Sequence, residues 1–261
     1  MIPIRDSLAH ERVPLVTAAL IVAGVVVYLV AIAAGGTLIG GPGPQTIVRW
    51  GAIPYEWAHY GRHCAIGLAA LGEAVLCTGQ PHVVGSVGSQ PPTWVTAFSQ
   101  LFIGRNSLEL IVNLVLLAVF GWSLEDELGH VRFLVLYLLG GLVTLALAIA
   151  VAPGSAVPLV GNGGALATVL GAYLALRPRE RVLSVRLVLF FFSIVEVPAA
   201  VWILAWVCFD VLFGALGTLT GLGADAGASY YVALCGLAVG ALAVLPLSGK
   251  QPFAELLGDR H

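Results

Sequence analysis

The sequence predicts an all-α, polytopic membrane protein in which six helices cross the bilayer. Hydrophobic residues make up 59% of the chain and charged residues only 10%, and the mean hydropathy is +0.97. A soluble domain of 261 residues cannot bury that much apolar surface. Six apolar runs have lengths close to the roughly 20 residues that cross a bilayer as a helix. They are residues 13–34, 107–122, 133–152, 160–176, 198–218 and 229–247.

These runs define one membrane domain with short ends and one long loop. We expect a cytoplasmic lead at residues 1–12, a membrane domain at 13–247 that includes an outer loop at 35–100, and a cytoplasmic tail at 248–261. The first run follows Arg5 and Arg12 and also suits a signal peptide, but it is longer than a usual signal core. We therefore treat it as the first membrane span.

The basic residues predict the orientation of the spans. With the N-terminus in the cytoplasm, nine of the twelve Lys and Arg residues lie on the cytoplasmic side. These nine are Arg5, Arg12, Arg132, Arg177, Arg179, Arg181, Arg186, Lys250 and Arg260, whereas Arg49, Arg62 and Arg105 lie outside. The positive-inside rule therefore places both termini in the cytoplasm, and we expect an integral protein of the plasma membrane. The net charge of −2 and the absence of a Lys/Arg block argue against nucleic acid as a partner, so the lipid bilayer is the expected one.

The outer loop contains a candidate disulfide and no recognisable metal site. Cys64 and Cys77 lie where an oxidising environment permits a bridge, with two free thiols as the alternative. Cys208 and Cys235 lie inside apolar runs and are expected to be small buried hydrophobic residues. No carboxylate stands at metal-ligand spacing from the loop histidines, which are His59, His63 and His82. We therefore expect neither a metal nor a cofactor.

The fourth run carries small residues along one helical face. Its sequence from Val160 to Tyr173 is V-G-N-G-G-A-L-A-T-V-L-G-A-Y. Gly164, Thr168 and Ala172 are four residues apart, so they share one face of a helix and let a neighbouring helix approach closely. Further small residues such as Gly171 add to this character. We expect such a helix in the middle of a bundle.

The fourth run and the turn after the second run resemble the rhomboid family of intramembrane serine proteases. That family has G-x-S-G-A at the start of the helix that carries the nucleophile, followed by small residues and G-A-Y. This chain has G-N-G-G-A and the same G-A-Y, so Gly163 stands at the serine position. The turn G-W-S-L-E-D-E-L-G, residues 121–129, is similar to the family's cytoplasmic turn. The resemblance implies a six-helix, rhomboid-like bundle.

The sixth run extends the resemblance and lacks the catalytic histidine. The family has A-H-x-x-G-x-x-x-G in this helix, and its glycines pack the helix on the serine helix. Gly236 and Gly240 match the two glycines, and Ala233 stands at the histidine position. The resemblance implies that Gly236 and Gly240 are packing residues here too.

The second run departs from the family at two of three positions. The family places two histidines and an asparagine in its oxyanion region, where this chain has Gly104, Glu109 and Asn113. Glu109 lies four residues before Asn113 on the same helical face and so points toward the former active site. Asp210 lies near the middle of the fifth run. An ionisable side chain inside the membrane is a functional candidate, with a neutral acid that holds helices together as the alternative.

Together these substitutions imply a pseudoprotease. Serine-type catalysis needs a hydroxyl group and a base that takes its proton, and Gly163 and Ala233 provide neither. The resemblance implies a lateral cleft that admits a substrate helix and binds transmembrane segments of client proteins. One alternative is an active intramembrane serine endopeptidase whose catalytic pair lies elsewhere in the chain. The other is a solute or ion carrier that uses Glu109 and Asp210, which lacks the paired broken helices expected of transporters.

Overall fold

The computed structural model of the protein is mostly helical. It describes residues 2–6, 13–69, 72–80, 90–188, 191–219 and 226–248. Arg12, His82 and the expected tail from residue 249 onward, with Lys250 and Arg260, lie outside the described residues. Three helices of the described part are long and apolar enough to cross a membrane, namely Leu15–Ala33, Ser107–Leu128 and His130–Val151. Shorter apolar helical stretches cover Gly163–Leu176, Ala199–Leu212 and Val232–Pro246, so each expected apolar run contains a helix.

The described elements alternate between apolar helices and short connecting segments. In chain order they are β1 (Ile2–Asp6), α1 (Leu15–Ala33), α2 (Pro44–Trp50), α3 (Pro54–Ala58), β2 (Cys64–Ala69), β3 (Gly72–Cys77), α4 (Thr93–Ser99), α5 (Ser107–Leu116), a π turn (Leu117–Gly121), α6 (Trp122–Leu128), α7 (His130–Val151), α8 (Gly163–Leu176), β4 (Arg181–Val188), β5 (Phe191–Pro198), α9 (Ala199–Leu219) and α10 (Ala226–Ser248).

The second membrane helix is continuous from α5 through the π turn to α6. It begins at the N-cap Asn106, whose side chain accepts a hydrogen bond from the backbone N–H of Glu109 at 2.9 Å. It ends at Gly129, whose φ of 81° lies in the left-handed region that glycine adopts without steric cost. This conformation reverses the chain within one residue, and α7 follows directly at His130.

The helix α8 lies at the centre of the bundle. Residues 164–173 are all buried, and Phe120 packs edge-on against Tyr173 with ring centroids 4.8 Å apart. The helix α10 crosses α8 at backbone contact: a Cβ atom at Gly240 would overlap the carbonyl of Thr168, and one at Gly171 would overlap the carbonyl of Leu237. The small-residue face of the fourth run is therefore covered by α10 and also by α7, where Gly140 lies against the Thr168 side chain.

The outer loop is more ordered than the sequence suggests. The strands β2 and β3 form an antiparallel hairpin in which Cys64 pairs with Cys77, and a disulfide joins the two residues. Ala52 exchanges two backbone hydrogen bonds with Leu159, at 2.9 and 2.8 Å. The outer loop is thus attached to the connection between α7 and α8.

A second small sheet lies among the segments expected to be cytoplasmic. The strand β4 pairs with β1 on one side and with β5 on the other, all antiparallel. From its basic residues, the connection at residues 177–186 is expected to be a cytoplasmic loop, but from Arg181 onward it is a strand. The physical reason is composition, because residues 181–198 are rich in Val, Ile and Phe, which favour strands.

One expectation about the cysteines is also wrong. Cys208 is exposed on the surface of α9, whereas Cys235 is partly buried. An apolar membrane helix has a face that contacts lipid as well as a face that packs on its neighbours, and hydropathy alone does not distinguish the two.

Candidate functional site

One cavity brings together the two positions where the family resemblance puts the nucleophile and the base. Gly163 of α8 and Ala233 of α10 both line it, together with residues of α5, α7 and α9. Its polar lining residues are Gln100, Arg105, Glu109, Thr144 and Asp210. The volume open to the centres of water molecules is about 60 Å³. This is enough for about four waters, at roughly 10–15 Å³ each.

The start of α8 is shaped so that residue 163 faces open space. Gly161, just before the helix, has a φ of 108°, and its N–H donates to the carbonyl of Gln100 at 2.9 Å. A Cβ atom at Gly163 would meet no other atom within 4 Å. Gly163 is the position that the resemblance assigns to the nucleophile. No neighbouring side chain of the described residues fills the space beside it.

The cavity lining offers no nucleophile paired with a base. Thr144 is the hydroxyl residue among the lining residues that the structure describes, and its hydroxyl donates to the carbonyls of Gly140 and Gly141 at 3.0 and 2.9 Å. No Ser, Cys or His belongs to that described lining. Thr168, deeper in α8, donates its hydroxyl to the carbonyl of Gly164 at 3.0 Å. Both hydroxyl groups are thus bonded to backbone carbonyls of their own helices rather than to a base.

Two carboxyl groups and one guanidinium group give the cavity its charge. Glu109 lies on α5 and Asp210 on α9, and Arg105 is close enough to both to interact with them electrostatically. Neither carboxyl makes a hydrogen bond or a close ion pair with the part of the chain that the structure describes. Both acids are candidates from the sequence, but their shared cavity is not predictable from it. Arg105 and Gln100 carry no sequence signal that marks them as site residues.

Gly104 and Asn113, which the resemblance assigns to the oxyanion region together with Glu109, do not line this cavity. Asn113 is 3% exposed, donates to Asn162 Oδ1 and accepts from Trp206 Nε1, both at 2.9 Å. Its amide therefore ties α5 to the start of α8 and to α9. Gly104 packs against Leu110 and the Tyr28 ring and lines a second, smaller cavity. Of the three positions, only Glu109 reaches the main cavity.

The acidic turn at the other end of the bundle has a structural role. Glu125 is fully buried and accepts hydrogen bonds from the backbone N–H groups of Val16 and Thr17 at 2.8 and 2.7 Å. It also accepts from the Thr17 hydroxyl and contacts His130 Nδ1, both at 2.6 Å. These N–H groups lie in the first turn of α1, where the helix itself provides no acceptor for them. Glu125 thus caps α1 and holds it against the turn between α6 and α7.

Two of the three outer-loop histidines, His59 and His63, lie in the part of the chain that the structure describes. His59 stacks on Tyr55, with ring centroids 4.2 Å apart, and His63 Nδ1 lies 4.0 Å from Glu56 Oε1. Across the described residues, no group of three or more His, Cys, Asp or Glu side chains is placed to hold a metal ion.

Comparison with known proteins agrees with the motifs. The family model of the Rhomboid domain matches residues 91–250, more than half of the chain. The chain is also similar to the presenilin-associated rhomboid-like protein A, mitochondrial, of Danio rerio, with 28% identity over 189 residues. That match covers 64% of this chain and 48% of the relative, so the chain spans about half the length of the curated relative. No solved structure matches the chain significantly.

Proposed function

The chain belongs to the rhomboid family of membrane proteins, and on that premise we propose that it is a pseudoprotease that binds transmembrane segments of client proteins without cleaving them. The observation that carries the proposal is the cavity shared by Gly163 and Ala233. Its described lining contains no serine, cysteine or histidine, so the hydroxyl and imidazole pair of serine-type catalysis is not among those residues. Binding is the activity that such a site can retain.

The proposed architecture is a six-helix bundle formed by residues 13–247, with the lead and the tail on the cytoplasmic side of the plasma membrane. Its support is the helix within each of the six apolar runs, together with the nine-to-three distribution of basic residues. The pairing of β1 with β4 also supports it, because this pairing puts the N-terminal segment beside the connection between α8 and α9. Four crossings separate those two segments, so an even number of spans returns the chain to the same side.

The absence of catalysis is tested with purified protein. We expect no labelling by a fluorophosphonate probe and no cleavage of a model transmembrane substrate, with an active rhomboid protease as the positive control. Cleavage by the unmodified protein, prepared from a host that lacks its own rhomboids, supports the alternative function, an active intramembrane serine endopeptidase.

Client binding is tested separately in nanodiscs. A transmembrane peptide with a photo-crosslinker near its centre should crosslink to α5, α8, α9 or α10. Crosslinking confined to the lipid-facing surface of α1 would contradict a client site at this cavity.

A further inference from the structure

The charges of the cavity do not balance. Glu109 and Asp210 supply two carboxyl groups, and Arg105 is the one cationic side chain among the described lining residues. Neither carboxyl has a hydrogen-bond partner in the described part of the chain. A charged group at membrane depth is costly unless it meets a partner. With both carboxyl groups ionised, the cavity carries one negative charge more than Arg105 offsets, and a cationic ligand would supply the missing partner.

Gln100 gives a second, independent indication of a ligand. Its side chain is only 6% exposed and lines the same cavity. Its Nε2 makes one long contact, 3.4 Å to the carbonyl of Ala97, and its Oε1 accepts no hydrogen bond from the described residues. Because the rest of the residue is buried, a donor for this oxygen has to come from the cavity. A ligand that supplies N–H donors would satisfy this group as well as the carboxyl groups.

The size and the walls of the cavity favour an ammonium group on an aliphatic chain. The space of about 60 Å³ holds only a few water-sized groups, and an ammonium group is about as large as one water. It carries three donors and no acceptor. Leu159, Val160 and Val232 form apolar walls along which a four-carbon stem can lie.

We propose that this cavity selects client transmembrane segments that carry a lysine, whose ammonium group binds among Glu109, Asp210 and Gln100. The inference rests on the proposed function, because it assumes that a transmembrane segment enters the cleft. A glutamate in the client would add a third carboxyl group to the cavity. A leucine would leave the three acceptors without donors.

The experiment compares three peptides that differ at one central position, which is Lys, Leu or Glu. Each peptide is titrated onto the full-length protein in nanodiscs, and the affinity is read from fluorescence. We expect the Lys peptide to bind roughly threefold to fifteenfold more tightly than the Leu peptide, the range of interhelical polar contacts in membranes. The Glu peptide should bind more weakly than both.

The variants Glu109→Gln and Asp210→Asn assign the preference to the cavity. Each should reduce the ratio of the Lys-peptide affinity to the Leu-peptide affinity. Glu196→Gln, a matched change at a half-exposed residue of β5, should keep the full preference. Thermal unfolding of each variant verifies that it is folded.

The outcomes separate the inference from the proposed function. Equal affinities for the Lys and Leu peptides overturn the lysine selection and leave client binding intact. A preference that survives the combined Glu109→Gln and Asp210→Asn change overturns the assignment to this cavity. Failure of every peptide to bind overturns the inference together with the proposed function.

Discussion

By the family resemblance, this cavity lacks the two side chains that act as nucleophile and base in a serine protease site. Gly163 has open space where a Cβ would stand, and Ala233 lies on the same cavity wall from α10. Because the packing of α8 on α10 is in place around them, the proposed loss of catalysis leaves the framework of the site intact. Glu109 stands close by, and a carboxylate there would repel a developing oxyanion.

Restoring the two side chains tests this interpretation. Gly163→Ser alone should remain inactive, because no base takes the proton of the new hydroxyl. Gly163→Ser combined with Ala233→His should recover weak labelling by a fluorophosphonate probe and slow cleavage of a transmembrane substrate. Gly154→Ser, at another glycine with open space around it, is the matched control when combined with Ala233→His. Labelling of the single Gly163→Ser variant would show that a different base acts.

A buried carboxyl in the outer loop makes that loop sensitive to pH. Burial raises the pKa of Glu56, whereas the hydrogen bond from the Cys64 N–H, at 2.6 Å, and the charge of His63 lower it. Because the pKa is higher in the folded than in the unfolded chain, the folded state binds the proton more tightly. The contribution of Glu56 to stability is thus fully present below the unfolded pKa of about 4.3. It is lost as the pH rises through the folded pKa.

The variant Glu56→Gln isolates this contribution, since glutamine can still accept from Cys64 but does not titrate. Limited proteolysis of the outer loop should become faster in the wild-type protein as the pH rises from acid to neutral. The dependence should be weaker in Glu56→Gln. Parallel pH profiles for the two proteins would rule out Glu56 as the cause.

At the level of elements, the contact between α8 and α10 organises the bundle. Gly171 and Gly240 each face a carbonyl of the other helix, and Gly236 faces the Ala167 methyl group. Backbone atoms cannot rotate away as a long side chain can, so these positions accept no side chain without moving a helix. The same contact brings Ala233 and Gly163 to one cavity.

Substitution of these glycines should destabilise the bundle. We expect Gly240→Leu to lower the unfolding free energy by about 1–3 kcal/mol or more, the usual cost of overpacking, with Gly236→Leu in the same direction. Ala238→Leu, on the exposed face of the same helix, is the matched control and should change little. Thermal unfolding in detergent measures all three. A Gly240→Leu variant as stable as Ala238→Leu would contradict the close contact.

At the level of the whole molecule, the two ends of the bundle have different roles. The outer end carries the cavity, the disulfide-linked hairpin and the segment paired with Leu159. The opposite end is held by Glu125, which binds the first turn of α1, and by Arg177, which bonds Glu127 and Ser123. The hydrogen bonds of Glu125 and Arg177 therefore lie at the end of the bundle opposite the cleft that is proposed to admit a client.

The proposed orientation predicts which end faces the cytoplasm. In a background in which Cys208 and Cys235 are replaced by alanine, Tyr60→Cys in the outer loop should react with a membrane-impermeant maleimide in intact cells. Arg179→Cys, at an exposed position after α8, should react only after the membrane is permeabilised. The reverse pattern would invert the topology, and equal labelling in intact cells would contradict the odd number of spans, three, between Tyr60 and Arg179.

The sequence by itself determined the apolar runs and the small-residue face of α8, whereas the assignment of positions 163 and 233 to the catalytic pair rests on the family resemblance and stays a prediction. These features are local, because hydropathy and helical spacing depend only on neighbouring residues. Only the tertiary structure decided that Glu109 and Asp210 share a cavity, that Trp206 bonds Asn113 across 93 positions, and that β1 pairs with β4. Those contacts depend on how helices far apart in the chain pack against one another, which no local spacing records.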